Sequence, residues 1–191
     1  MIKEDIPFDL KACIEFHGHL CPGLAIGYAV AKLALEKLRH KRASDEELVC
    51  ITMTDSCAVD AIQFMTGCTL GKGNLIFQDF GKMVFVFIRR TKRGVTNGVR
   101  LSLNPHVMKK RLSAAVRKDK EAAALALLKV SLEKLFDVQS VQNYPVPERA
   151  RIFPSKPCAS CGEPTMEHRL RVKAGKMVCQ ECVRQNYSRG W

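Results

Sequence analysis

Two Cys-x-x-Cys pairs close the chain: Cys158-Ala159-Ser160-Cys161 and Cys179-Gln180-Glu181-Cys182, with 17 residues between them. A two-residue spacer lets both thiolates of a pair face one ion, and four such sulfurs complete the tetrahedral shell of zinc. The stretch that carries them has about 40 residues and few large apolar side chains. A piece that small folds around a metal or disulfides rather than around a hydrophobic core. Gly162 suits a tight knuckle, Arg169 to Val172 and Lys176 to Val178 suit a hairpin around Ala174-Gly175, and Cys182 to Tyr187 can open a terminal helix. Knuckle, hairpin and helix in that order are treble-clef-like. A structural zinc is expected on Cys158, Cys161, Cys179 and Cys182, although iron can occupy a similar sulfur cage. A closed four-thiolate shell has no open coordination position, so this motif serves folding rather than reaction.

The boundary of that piece falls near residue 150. Pro145 and Pro147 break any helix, and Pro154 and Pro157 follow, which reads as an extended connector. The expected domains are therefore a core over 1–150 and a zinc finger over 151–191. The core alternates helical and strand patterns. Asp9 can cap a short helix with Leu10, Cys13, Ile14 and His17 on one face, and Gly18 can end it. Pro22 suits the first turn of a second helix, to about residue 40. Leu48 to Thr54, Asn74 to Phe80, Met83 to Ile88 and Val99 to Leu103 read as strands, the middle two around Gly81-Lys82. Ala58 to Met65 reads as a helix, and Ala114 to Phe136 is expected to be the longest one. The fold class is α+β, with helices packed on a small, mainly antiparallel sheet and a C-terminal treble-clef-like zinc domain.

The chain has nine cysteines. In a chain without a secretory pattern, such cysteines are read as metal ligands, reactive thiols or small core residues before disulfides. Phe16-His17-Gly18-His19-Leu20-Cys21-Pro22-Gly23 places two imidazoles and a thiol at a helix-to-helix junction. Imidazole and thiolate suit zinc, iron, nickel or copper better than magnesium. The local set is incomplete, and Cys57, at the end of a predicted strand, can supply a further ligand. Asp55 and Asp60 flank Cys57 and can orient a ligand or act as bases. Cys13 and Cys50 lie on apolar faces and read as core packing. Thr66-Gly67-Cys68-Thr69-Leu70-Gly71-Lys72-Gly73-Asn74 fails as a phosphate loop. Only three residues separate Gly67 from Gly71, and Gly73 stands where a magnesium-binding hydroxyl belongs. Lys72 is left as a contact for an anion.

At these segments the chain resembles the formylmethanofuran dehydrogenase E-subunit-like family. The resemblance is carried by residues 16–23, by Asp55-Ser56-Cys57-Ala58-Val59-Asp60-Ala61-Ile62-Gln63, by 66–75, by Asp79-Phe80-Gly81-Lys82 and by the four terminal cysteines. It implies an α+β core with a treble-clef zinc domain, a homodimer, and a core site around His17, His19, Cys21 and Cys57, for which a second transition metal is the candidate occupant. It does not imply the dehydrogenase reaction, which in that enzyme is attributed to other polypeptides of the complex.

No run approaches the roughly 18 apolar residues of a membrane span, and the first ten residues, with Glu4, Asp5 and Asp9 and no apolar core, do not suit a secretory signal. No membrane association is expected, and the cytoplasm is the expected compartment. The formal charge is +12, with basic clusters at Arg89-Arg90-Thr91-Lys92-Arg93 and Lys109-Lys110-Arg111. Nucleic-acid binding ranks third, because no RNA-binding or two-Cys-two-His signature is present. The first reading is a metal-binding accessory protein that serves an oxidoreductase complex or a metal cofactor. The alternative is a metal- or thiol-dependent enzyme acting on a small one-carbon or cofactor-type substrate.

Overall fold

The computed structural model describes residues 6–90, 97–106, 119–142, 144–145 and 148–183. The chain divides into two compact units, Met1–Ala150 and Arg151–Trp191. The first is α+β. Its sheet holds β1 (Leu48–Thr52), β2 (Leu75–Phe77), β3 (Val84–Arg89), β4 (Asn97–Leu103) and β5 (Phe136–Gln142), in the order β2-β1-β3-β4-β5. Only β1 and β2 run parallel. Alternate residues divide the faces. Cys50 pairs with Phe87, which pairs with Val99, and these side chains face a core shared with the helices. The intervening Ile51, Val86 and Ile88 form the opposite face, against which Tyr144 packs.

The helices are α1 (Phe8–His17), α2 (Pro22–Lys37), α3 (Ala58–Thr66), α4 (Lys120–Leu128) and the one-turn α5 (Leu132–Leu135). Gly18 ends α1 in the left-handed conformation, φ 95°, its N–H donating to the Ile14 carbonyl. The α1 N-cap is Pro7 and not Asp9. Asp9 lies in the first turn, where its carboxylate accepts from the Leu10 N–H and the Tyr28 hydroxyl. Cys21 caps α2, Pro22 occupies its first turn, and α2 is the longest helix among the described residues.

The single long helix expected over Ala114 to Phe136 is corrected, apart from 114–118, which lie outside the described residues. Asp119 starts α4 by accepting from the N–H groups of Glu121 and Ala122, and the chain turns at Lys129 to Ser131 before α5. Phe136 then enters β5, paired with Leu103 and 2% exposed. Helix propensity is a weak prior, and a vacant edge beside β4 with a buried slot for Phe136 overrides it. The strands on either side of Gly81-Lys82 do not form a hairpin with each other, since β2 and β3 flank β1 on opposite sides.

The second unit holds two small antiparallel pairs: β6 (Ser155–Pro157) with β7 (Pro164–Met166), and β8 (Arg171–Lys173) with β9 (Lys176–Val178). Ala174 and Gly175 join the latter with φ of 49° and 76°, the paired positive values of a tight hairpin turn. Of the helix expected over Cys182 to Tyr187, Cys182 and Val183 are in a turn and the remainder lies outside the described residues, as do Lys109-Lys110-Arg111 and Thr91 to Arg93. No helix among the described residues is long and apolar enough to cross a membrane.

Candidate metal centres

In the first unit, α1 ends where α2 begins, and α3 starts beside that junction. His17 is in the last turn of α1, Cys21 is the N-cap of α2, and Cys57 precedes α3 as its N-cap. One ligand atom from each of His17, His19 and Cys21 lies within 4.8 Å of the other two. Cys57 stands outside that triad but beside Cys21. Burial, and then the Cys21 sulfur, raise its thiol pKa.

His17 Nδ1 is 2.7 Å from Asp60 Oδ2. An ionised carboxylate only accepts, so Nδ1 carries a proton and Nε2 is the ring atom turned toward Cys21. Nε2 is 3.9 Å from Cys21 Sγ. The His17 and His19 rings are 4.6 Å apart. His17, His19 and Cys21 are a group that could hold a metal ion, and a carboxylate behind the imidazole is the kind of outer partner that metal-ligating histidines use. The Cys21 sulfur also accepts from the Leu24 N–H at 3.4 Å, at the first turn of α2. Asp60 is the residue of the flanking acidic pair that reaches the imidazole.

In the second unit, one sulfur from each of Cys158, Cys161, Cys179 and Cys182 lies within the same 4.8 Å limit. Cys161 Sγ and Cys179 Sγ are 4.0 Å apart, close to the roughly 3.8 Å edge of a tetrahedron with zinc–sulfur bonds of about 2.3 Å. Cys158 Sγ accepts from the N–H groups of Ser160 and Cys179, at 3.4 and 3.2 Å. Cys179 Sγ accepts from Cys182 N–H at 3.4 Å. Backbone N–H groups of Cys161 and Cys179 hold the Cys158 thiol down at about 6. Cys161 is favoured as a thiolate by the Glu163 N–H, yet the Cys158 sulfur and burial push it up to about 12. Four thiolates this close need a divalent cation between them, and the donor set fits zinc.

Other sequence candidates are placed elsewhere. Cys13 and Cys50 are fully buried among apolar side chains. Lys72 Nζ donates to the carbonyls of Ala43, Ser44 and Asp45, so it braces the loop at residues 43–45. Arg90 is no solvated cation either: its side chain is 15% exposed and 3.8 Å from Glu46.

A family model described as FmdE, molybdenum formylmethanofuran dehydrogenase operon, matches residues 16–140. A second, the prokaryotic dksA/traR C4-type zinc finger, matches residues 151–184. A curated protein of Archaeoglobus fulgidus, named a probable S-adenosyl-L-methionine-binding protein, is 33% identical over 91% of this chain and 52% of its own length. The chain thus spans about half the length of that relative. The crystal structure of a tungsten formylmethanofuran dehydrogenase FmdE-like protein from Syntrophus aciditrophicus superposes with a TM-score of 0.69 at 22% identity, over 94% of this chain and 92% of that one. That likeness carries the fold.

Proposed function

Because the chain belongs to the FmdE family, we propose that it is a metal-binding accessory protein. In this reading the core binds an exchangeable transition metal and the terminal unit is held by structural zinc. One observation carries the core site: His17, His19 and Cys21 converge while Asp60 holds His17 by Nδ1 and leaves Nε2 facing Cys21. These three residues would hold the metal, and Cys57 beside Cys21 would be a fourth donor or line the approach. A bound ion there supplies Lewis acidity or a carried charge. The protein's share is to orient the donors: Asp60 holds the His17 ring by Nδ1, and the start of α2 holds the Cys21 sulfur through the Leu24 N–H.

The reading includes a homodimer in the cytoplasm that serves an oxidoreductase complex or a metal cofactor. The S-adenosyl-L-methionine in the archaeal relative's name has no place in it, since about half of that protein lies outside the match.

Elemental analysis of the full chain tests the proposal. Two metals per chain are expected, one lost in His19→Ala and Cys21→Ser, and the other lost in Cys158→Ser. Retention of the full metal complement in both core variants would overturn the core site. Size-exclusion chromatography with light scattering tests the dimer, which a monomer at micromolar concentration would exclude.

A further inference from the structure

Away from the His/Cys junction the first unit contains a cavity of about 710 Å³ between α1, α2 and the α4–α5 turn. Two turns of α2 separate Cys21 from Tyr28 on its wall, a rise of about 10 Å. Leu10 from α1, Ala29 from α2, and Leu125, Leu128 and Leu132 from α4 and α5 line it with apolar surface. Cavities of roughly 300–1,000 Å³, mostly apolar with a few placed polar groups, are the usual dimensions of small-ligand sites.

The polar side chains are those of Tyr28, Lys32, Glu121, Lys129 and Ser131. Tyr28 is 5% exposed. Its hydroxyl donates to Asp9 Oδ1 at 2.8 Å and accepts from Lys32 Nζ at 3.2 Å. The Lys32 ammonium also sits 5.2 Å from the centre of the Tyr28 ring, a cation–π distance. Tyr28 is therefore used in both directions, while Lys32 has spent one of its three donors on it. The ammonium is held at the edge of an apolar chamber with donors to spare. Lys32 is exposed at this edge, and a ligand head that covers its ammonium is favoured when it brings negative charge, since desolvating a cation without a direct counter-charge is costly.

We infer that this cavity binds a small amphipathic anion, an apolar body of acyl-chain or aromatic type with a carboxylate or similar head on Lys32. The site is independent of the metal centres, and its test does not depend on them.

The test uses the full-length, zinc-loaded protein with 1-anilinonaphthalene-8-sulfonate as fluorescent probe and dodecanoate, below its micellar concentration, as competitor. Saturable one-to-one binding and displacement are expected. Dodecyltrimethylammonium, with the same chain and opposite charge, should bind at least about tenfold more weakly, the scale of one charge-assisted contact. Lys32→Met should weaken dodecanoate by about tenfold and leave dodecanol unchanged. Leu125→Trp fills the chamber and should lose all three ligands. Unchanged circular dichroism and metal content certify that both variants fold. No dodecanoate binding, equal affinity for the ammonium, or undiminished binding in Leu125→Trp would overturn the proposal. So would probe exclusion in step with self-association, which would give the cavity to a second copy of the chain. Loss of dodecanoate in His19→Ala would place the anion on the core metal instead. Failure of the core to bind metal leaves the expected dodecanoate results as they are.

Discussion

A Cβ at Gly27 would stand 2.1 Å from the carbonyl oxygen of Ala58. The backbones of α2 and α3 cross there without a side chain between them. One turn nearer the start of α2, a Cβ at Gly23 would come within 3.0 Å of the Cys57 Cβ. These two contacts bring the N-cap of α3 against that of α2, and so Cys57 beside Cys21. Gly27→Ala should destabilise the first unit by about 3 kcal/mol or more, because backbone rather than a pliable side chain must move. Urea unfolding measures this, and wild-type stability in the variant would contradict the close crossing.

In the proposed core site Asp60 would act through His17, which it contacts directly. With the 2.7 Å contact replaced, Asp60→Ala should lower core metal affinity by about 10–100-fold. Asp60→Asn, which keeps an acceptor oxygen but no charge, should fall between the two. Chelator competition reads the affinity, and the terminal zinc serves as internal control. Equal affinities in all three proteins would leave the carboxylate with no role in the site.

Much of this is legible in the residues. The periodicity of Leu10, Cys13 and Ile14 and the Gly18 stop give α1, while Pro22 marks α2. The four terminal cysteines announce their own cluster by spacing. The less legible features depend on distant parts of the chain. Nothing local says that Asp60 and not Asp55 reaches His17, since that depends on how α3 lies against α1. The alternation in Phe136-Asp137-Val138-Gln139 is a strand signal, but it follows a run rich in Ala, Leu, Lys and Glu whose helical pattern masks it. The Lys32–Tyr28–Asp9 chain joins two helices, and neither helix alone suggests it.

Asn74 shows what the glycine-rich loop is for. It is 0% exposed, and its amide nitrogen donates to the carbonyls of Asp45, Leu48 and Gly67 while its oxygen accepts from the Thr69 N–H. Asn74→Ala strands several buried backbone groups, each worth about 1–3 kcal/mol of desolvation. A loss of roughly 3–4 kcal/mol in urea unfolding is expected. A loss under about 1 kcal/mol would mean that water replaces the amide.

Removing zinc should affect the two units unequally. The terminal unit has little core besides its cysteines and Val178, and structural zinc supplies most of the folding free energy of such pieces. With a strong chelator, limited proteolysis of the full chain should cut within residues 151–183 and leave a stable fragment near residue 150. Equal protection with and without chelator would show that the unit folds without metal.

Glu47 makes acid stability testable. Its carboxylate accepts from the Ser44 N–H at 2.7 Å, the Ser44 hydroxyl at 3.1 Å and the Asp45 N–H at 2.9 Å. Burial alone raises its pKa, but the donors from Glu47's own backbone, Ser44 and Asp45 outweigh that and hold it at about 2, against 4.5 ordinarily. A depressed folded-state pKa adds stability that is fully present above the unfolded value. That stability is lost as pH falls from 4.5 toward about 2. Glu47→Gln should therefore be less stable than the parent at neutral pH, by about 1 kcal/mol for a half-buried group partly screened by water. The gap should close through that acid window. Urea midpoints measured with chelator in every sample, so that zinc loss at low pH does not enter, give the comparison. A gap that stays constant from neutral pH to about 2.5 would mean that Glu47 acts through its shape and not through its charge.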